Sequence, residues 1–392
     1  MVRTEAVIVG AGPAGLAVAA CLDRRGVPYA LLERSGAVGD SWRRHYDRLH
    51  LHTHKRNSAL PYRPWPASAP DYPSRDDVVA YLEAYAAALS WAPRLNEAVE
   101  RARFHEGRWR ADTARGAYEA SQLVVATGLN DVPNRPSWPG LETFPGAVLH
   151  SSEYVNGERF RGRSVLVVGF GNSGGEVAVD LAEHGARPTL SVRGPVNVVP
   201  KRLLGRPIEE VAMRLERLPP LLADAIGTAA RRLRFGDVER HGLRFAAYSP
   251  TRQVAERARI PLIDVGTVDL IRRGVVSVRP GAERVDGAEV AFADARRGRF
   301  DAIVLATGYR AGFPAFLEPA AGLDIELPLQ LPSGDGLQFC GFTVTAGGTL
   351  ARIAREAEAV AERIAGRTAG RNGRPEAQPP SSAVGSNEPR VP

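Results

Sequence analysis

The chain has 392 residues, 44% of them hydrophobic, which is enough for two α/β domains with a buried core. No apolar run reaches the roughly 18 residues of a membrane-spanning helix, so no membrane partner is expected. The formal net charge is +7, but 51 basic residues are scattered among 44 acidic ones and only Lys55 and Lys201 are lysines, which excludes an obvious nucleic-acid surface.

Residues 6–10 read as a buried parallel strand, short, β-branched and stopped by glycine. A glycine turn follows, then an apolar helix over about 13–24 and a second strand, Tyr29 to Leu32, ending at Glu33. Residues 34–73, rich in Pro, His and aromatics, form an irregular excursion. Ser74 caps a helix that runs through Leu89, with acids in its first turn. Residues 97–121 read as short antiparallel strands and Leu123 to Gly128 as a buried strand. The plan then repeats: strand Ser164–Val168, a glycine turn, a helix over 174–184 and strand Thr189–Val192. Helices fill about 203–258, short strands follow at Val275–Val278 and Glu289–Phe292, and Asp301 leads into Ala306-Thr307-Gly308. A strand over Leu337–Phe342 and a helix over 349–365 close the fold, and 369–392 read as a disordered tail. Each half therefore runs from Gly-x-Gly-x-x-Gly to Ala-Thr-Gly, an internal echo that signals duplicated architecture.

The two fingerprints carry the chemistry. They are Gly10-Ala11-Gly12-Pro13-Ala14-Gly15 and Gly169-Phe170-Gly171-Asn172-Ser173-Gly174. The first glycine of each allows a tight turn, the second lets a pyrophosphate approach, and the third lets helix and strand pack closely. The pyrophosphate then meets the free amides of a helix N-terminus. Glu33 is placed to accept the ribose hydroxyls of one adenosine. In the second half the equivalent position is Val192 and the next residue is Arg193. A guanidinium in place of the acid suits a 2′-phosphate, hence NADPH, with Lys201 and Arg202 as helpers. The alternative for Arg193 is an exposed arginine at a strand end. Two dinucleotide sites in one polypeptide suit a nicotinamide that hands a hydride to a flavin.

Phe144-x-Gly146-x-x-x-His150-x-x-x-Tyr154 resembles the signature of the group B flavin-containing monooxygenases, and Tyr154 separates it from the Trp of Baeyer–Villiger enzymes. Gly26 through Arg34, Tyr46 through Leu49, Pro261 through Thr267 and Asp301 through Arg310 are similar to the YUCCA-type indole-3-pyruvate monooxygenases. The resemblance covers about residues 5–365. It implies an α/β fold of two Rossmann-like dinucleotide-binding domains, with the NADPH domain inserted in a discontinuous FAD domain. The expected boundaries are 1–155 and 295–368 for FAD and 160–290 for NADPH. It also implies FAD and NADPH as cofactors and a small-molecule substrate and O2 as partners, and it leaves a homodimer open. The implied activity is NADPH-dependent insertion of one oxygen atom through a C4a-(hydro)peroxyflavin, by oxidative decarboxylation of an arylpyruvate or, alternatively, N- or S-oxygenation.

In the resemblance Phe144, Gly146, His150 and Tyr154 belong to an interdomain linker that couples nicotinamide binding to flavin chemistry, and Gly39-Asp40-Ser41-Trp42 is similar to an element near the flavin. Trp42 is expected against the cofactor, with core packing as the alternative. The cofactor set is completed by Arg34, Thr127, Gly128, Thr307 and Gly308. One of His54, Lys55 or Asn57 is expected over the isoalloxazine as the catalytic group. His50, His52 and His54 alternate, but no acid or cysteine at ligand spacing joins them, so no metal is expected. Arg231-Arg232-Leu233-Arg234 reads as a solvated helix face. Arg202, Arg206, Arg244 and Arg252 of the insert are the cations offered to an acidic substrate. Two features depart from the family: the excursion at Thr53 to Asn57, and the compressed Val344 to Gly348. Cys21 and Cys340 form no Cys-x-x-Cys pair, which disfavours a disulfide reductase and fits a reducing cytoplasm.

Overall fold

The computed structural model describes residues 1–130, 132–257, 259–310, 314–318, 336–343, 345 and 347–372. Its main elements are β1 (Val2–Val9), α1 (Pro13–Asp23), β2 (Tyr29–Leu32), α2 (Arg75–Ala86), β3 (Val99–His105), β4 (Arg108–Thr113) and β5 (Gly116–Val125). There follow β6 (Ala147–His150), β7 (Ser164–Val168), α3 (Asn172–Glu183), β8 (Arg187–Ser191), α4 (Ile208–Leu215), α5 (Pro220–Phe235) and α6 (Pro250–Arg257). The last are β9 (Ser277–Arg279), β10 (Ala302–Leu305), β11 (Leu337–Phe339) and α7 (Thr349–Asn372).

The first sheet has the order β2-β1-β5-β4-β3, with β11 also on β5. Strand β5 serves two partners along one edge: Gly116 to Ala120 run antiparallel to β4, and Leu123 to Val125 run parallel to β11. Its other edge pairs parallel with β1. The end of β5 is a continuous buried apolar run at Leu123-Val124-Val125, as a strand covered on both faces requires. On one face α1 and α7 share a core, with Leu350, Ile353, Ala357, Val360, Ala361 and Ile364 of α7 at helical spacing. Each such Leu, Ile or Val contributes about 1.5–3 kcal/mol. Helix α2 begins where its cap was expected: Ser74 Oγ accepts from the Asp77 amide at 3.2 Å while the Asp77 carboxylate accepts from the Ser74 amide at 2.9 Å.

The second sheet is five parallel strands, β9-β8-β7-β10-β6. This corrects the domain boundaries expected from sequence. Strands β6 and β10 had been assigned to the FAD segments 1–155 and 295–368, yet they pair side by side, Ala302 against both Ala147 and Val165, in the sheet of the second glycine turn. A short buried β-branched strand does not record which sheet receives it, and the Ala-Thr-Gly echo was the better guide. The two chain crossings between the sheets run together as a short antiparallel ribbon, Pro133 against Tyr309 and Val132 against Arg310. Helix α7 continues through Asn372, past the point at which the tail was expected to lose structure. A lone glycine such as Gly366 costs a helix only about 1 kcal/mol. The rest of the expected tail, 373–392, lies outside the described residues.

Candidate active site

The two glycine turns are built alike. Gly10 and Gly169 have φ of +104° and +113°. A Cβ on Gly10 would lie 2.8 Å from the Ala126 carbonyl oxygen, and one on Gly169 2.4 Å from that of Ala306. The third glycines press helix onto strand: a Cβ on Gly15 would sit 1.9 Å from the Gly10 oxygen, and one on Gly174 2.3 Å from the Gly169 oxygen. The middle glycines differ from both. A Cβ on Gly12 or Gly171 would meet nothing within 4 Å. Nothing in the chain itself demands glycine there, whereas a ligand backbone approaching the helix N-terminus does. Two dinucleotides therefore fit the residues present, one at the N-terminus of α1 and one at that of α3.

The residues after the second strand of each half diverge. Glu33 is buried; one carboxylate oxygen accepts from the Ala11 amide at 2.7 Å, and the other from the Ser35 amide and hydroxyl at 2.9 Å. It pins the glycine turn, and a carboxylate so bonded has lone pairs left for a further donor. Beyond β8 the chain reaches Arg193, which is exposed. Lys201 and Arg202 turn elsewhere: both lie over the Tyr72 ring, and Arg202 also pairs with Asp71.

Between the sheets lies a cavity of about 940 Å³. It is at the upper end of the roughly 300–1,000 Å³ typical of ligand sites. Gly12, Pro13, Ala14, Arg34, Thr127 and Gly128 line it from the first half, and Asn172 and Ser173 from the second. Trp42, in a short helix at Asp40–Arg43, also lines it and touches the cores of both sheets. Asn172 Oδ1 accepts from the Ile263 amide at 2.8 Å, which ties the segment around Pro261 to the second turn. Thr307 and Gly308 do not line the cavity as Thr127 and Gly128 do. The Thr307 hydroxyl donates to the Asn134 carbonyl, and the Gly308 carbonyl accepts from the Asn134 amide at 2.9 Å, so this Ala-Thr-Gly braces the crossing ribbon.

The expected catalytic trio is not at the cavity. His54, Lys55 and Asn57 form a 3-10 turn, Lys55–Asn57 capped by His54. His54 Nε2 is 3.2 Å from Asp71, Lys55 Nζ donates to the Ala67 carbonyl at 2.9 Å, and Asn57 Nδ2 donates to Glu209 at 3.0 Å. The preceding residues Leu51, His52 and Thr53 line the cavity instead. The turn holds these three side chains against Asp71, a loop carbonyl and Glu209. The three histidines have separate partners: His50 meets the Arg48 carbonyl, His52 meets Glu176 and His54 meets Asp71.

His52 Nε2 donates to Glu176 Oε1 at 3.0 Å, and the other carboxylate oxygen of Glu176 is buried without a partner. Tyr46 stands beside this carboxylate, and burial together with Glu176 holds its phenol well above the usual range. Glu209 of α4 is a second buried acid with one unpartnered oxygen, and it lines the cavity. Sequence reasoning missed both acids. Glu176 had a signal: it and Asp180 lie four apart on an otherwise apolar helix face, so both are buried.

Each of the four signature residues holds a structural contact. Phe144 is buried, and a Cβ on Gly146 would lie 2.2 Å from the Asp301 oxygen, so Gly146 admits β10 beside the start of β6. His150 ends β6 rather than lying in a free linker. Its Nε2 is 3.0 Å from the Gly308 oxygen, and its Nδ1 lies 3.2 Å from the Ser152 amide. Burial lowers its pKa, so it is a neutral imidazole that donates from Nε2 and accepts at Nδ1. Its ring meets Tyr309 edge-on at 5.2 Å, and Tyr309 lines the cavity. Tyr154 donates to Asp180 Oδ2 at 2.5 Å and stacks on Phe160. His150 thus braces the crossing ribbon, and Tyr154 bolts its own segment to α3.

The arginines offered to a substrate also change. Arg202, Arg206, Arg244 and Arg252 are exposed, whereas Arg231, read as part of a solvated face, is buried and lines the cavity. Cys21 and Cys340 are both buried and free. Burial pushes the Cys21 thiol up to about 12 and raises that of Cys340 further, which disfavours the thiolate a disulfide reductase needs. Among the described residues no helix is long and apolar enough to cross a membrane.

A family model described as pyridine nucleotide-disulphide oxidoreductase matches residues 7–204. The indole-3-pyruvate monooxygenase YUCCA1 of Oryza sativa subsp. japonica is 44% identical over 350 residues, covering 86% of each chain. The probable indole-3-pyruvate monooxygenase YUCCA1 of Arabidopsis thaliana is 41% identical over 352 residues, 86% of this chain and 84% of its own. Among solved structures, a flavin-containing monooxygenase from Stenotrophomonas maltophilia is similar with a TM-score of 0.71 at 24% identity, covering 94% of this chain and 100% of that one. The open form of cyclohexanone monooxygenase is similar with a TM-score of 0.73 at 20% identity, over 95% of this chain and 89% of that one, a likeness of fold.

Proposed function

The chain belongs to the flavin-containing monooxygenases, in their YUCCA branch, and we propose on that footing that its substrate is an arylpyruvate of the indole-3-pyruvate type. It is an FAD- and NADPH-dependent monooxygenase. The observation that carries the substrate reading is the 44% identity to a named indole-3-pyruvate monooxygenase across 86% of both chains. In the proposed reaction one atom of O2 enters the acid formed at the 2-oxo carbon and the other leaves as water. The bond from that carbon to the carboxylate breaks, CO2 departs, and NADPH with a proton supplies the two electrons. The arylacetic acid and NADP⁺ are the other products.

The first sheet, with α1, α7 and the excursion, is assigned to FAD, and the second sheet, with its helical insert, to NADPH. FAD when bound accepts the hydride of NADPH and supplies the electrons that activate O2. The protein's part is placement and dryness. The N-termini of α1 and α3 take the pyrophosphates, and Glu33 and Arg193 are assigned to the two riboses. Trp42, Leu49 and Leu51 keep water from one wall of the cavity and the insert from another. His52, held by Glu176, presents its imidazole to the same space.

The test is NADPH consumption and product mass with FAD-loaded enzyme given indole-3-pyruvate, phenylpyruvate, a tertiary amine and a sulfide. Coupled formation of the decarboxylated acid supports the reading. N- or S-oxide formation replaces it with heteroatom oxygenation, and H2O2 alone removes both.

A further inference from the structure

Arg231 carries a positive charge into the interior and finds no carboxylate there among the described residues. Its side chain is 3% exposed, on α5, and it lines the cavity. All its acceptors are neutral. Nη1 donates to Asn197 Oδ1 and, at 3.4 Å, to the Tyr248 carbonyl, and Nη2 donates to the Ala246 carbonyl at 3.0 Å. The guanidinium lies 4.5 Å over the Phe245 ring. Nε is buried with no partner. Those bonds engage three of the five N–H groups of a guanidinium, which does not shed its proton in a protein.

A buried ion without a counter-ion is among the costlier arrangements a fold contains, so its balance is expected from outside the chain. The neighbours on the cavity wall define what else that ligand carries: Leu215, Val254 and Ile260 are apolar. A small anion with an apolar body satisfies both. The cofactor phosphates are accounted for at the glycine turns, whose middle glycines face open space. We propose that Arg231 is the carboxylate subsite of the substrate pocket, taking the carboxylate of a 2-oxo acid while the aryl group lies against the apolar residues of the insert. This rests on the arylpyruvate reading above and adds the residue that selects acids. The contacts to Asn197, Ala246 and Tyr248 fix the plane of the guanidinium, and the Nη2 N–H that those bonds leave over is the donor offered to a carboxylate.

The experiment measures the Kd of phenylpyruvate and of its methyl ester by titration of the oxidised FAD-loaded enzyme, on the wild type, R231M and R231K, with turnover followed for phenylpyruvate alone because the ester has no carboxylate to leave as CO2. The expected wild-type result is a Kd about 10–100-fold lower for the acid, the range of a charged hydrogen-bond pair. R231M is expected to remove that preference by raising the acid's Kd, with the KM for NADPH moving less than about 3-fold, and R231K to restore part of it. Equal Kd values for acid and ester on the wild type overturn the subsite while leaving the arylpyruvate reading in place, and this arm decides even where R231M does not fold. A parallel rise in the KM for NADPH in R231M overturns it in favour of a cofactor contact. Failure of the wild type to turn over phenylpyruvate defeats the arylpyruvate reading and the subsite with it.

Discussion

At the first glycine turn the acid that ends β2, Glu33, is buried and bonded to the Ala11 amide at 2.7 Å. At the second, the chain beyond β8 passes through Val192 to an exposed Arg193. The turns themselves repeat each other: left-handed first glycines, third glycines jammed against a carbonyl, middle glycines facing open space. The comparison separates two jobs. The strand–turn–helix makes a generic pyrophosphate cradle, and the residues after the next strand choose the nucleotide. The first half uses its acid partly to hold the cradle shut, whereas in the second the residue after Val192, Arg193, is exposed.

The largest effects come from breaking one cradle at a time. Gly15→Ala forces a Cβ to within 1.9 Å of the Gly10 oxygen, and Gly174→Ala brings one to 2.3 Å from that of Gly169. Gly15→Ala is expected to yield protein without flavin, read from the absorbance ratio of flavin to protein. Gly174→Ala is expected to keep its flavin and lose at least about 100-fold in anaerobic reduction by NADPH. Flavin loss in both variants removes the separate assignment of the two halves. Gly12→Ala sharpens the point, because its Cβ meets no protein atom. The apoprotein should melt as the wild type does, while the FAD-dependent gain in stability, about 2.7 kcal/mol at a hundredfold excess over Kd, is lost.

Arg193→Ala tests the nucleotide choice. The KM for NADPH should rise about 10–100-fold with little change for NADH, and equal effects on both remove the 2′-phosphate assignment. Tyr154→Phe deletes a buried donor to Asp180 and should cost about 1.5–3 kcal/mol by denaturant titration; an unchanged midpoint shows that water replaces the hydroxyl. The smallest effect is expected at Lys55, bonded to loop carbonyls away from the cavity. Lys55→Ala should change kcat by less than about 3-fold, and a drop beyond tenfold returns this residue to the flavin.

Much of this protein is legible in the chain alone. Glycine spacing, β-branched runs and the Ser74 cap are local devices, so β2, the capped start of α2 and both cradles fall where the sequence places them. So does the resemblance, because its motifs are contiguous. Tertiary structure decided what depends on neighbours remote in sequence. The pairing of β6 with β10 moved the domain boundary, since apolar strands carry no address. The turn after Thr53 took His54, Lys55 and Asn57 from the cavity and left His52 there. Arg231 looked like its exposed neighbours Arg232 and Arg234 because a charge run names no face; only the packing of α5 against Asn197, Ala246 and Tyr248 buried one of the three. Burial of a charge is a property of what surrounds it, and two partners of Arg231, Asn197 and Tyr248, stand 51 positions apart and meet only when the chain has folded.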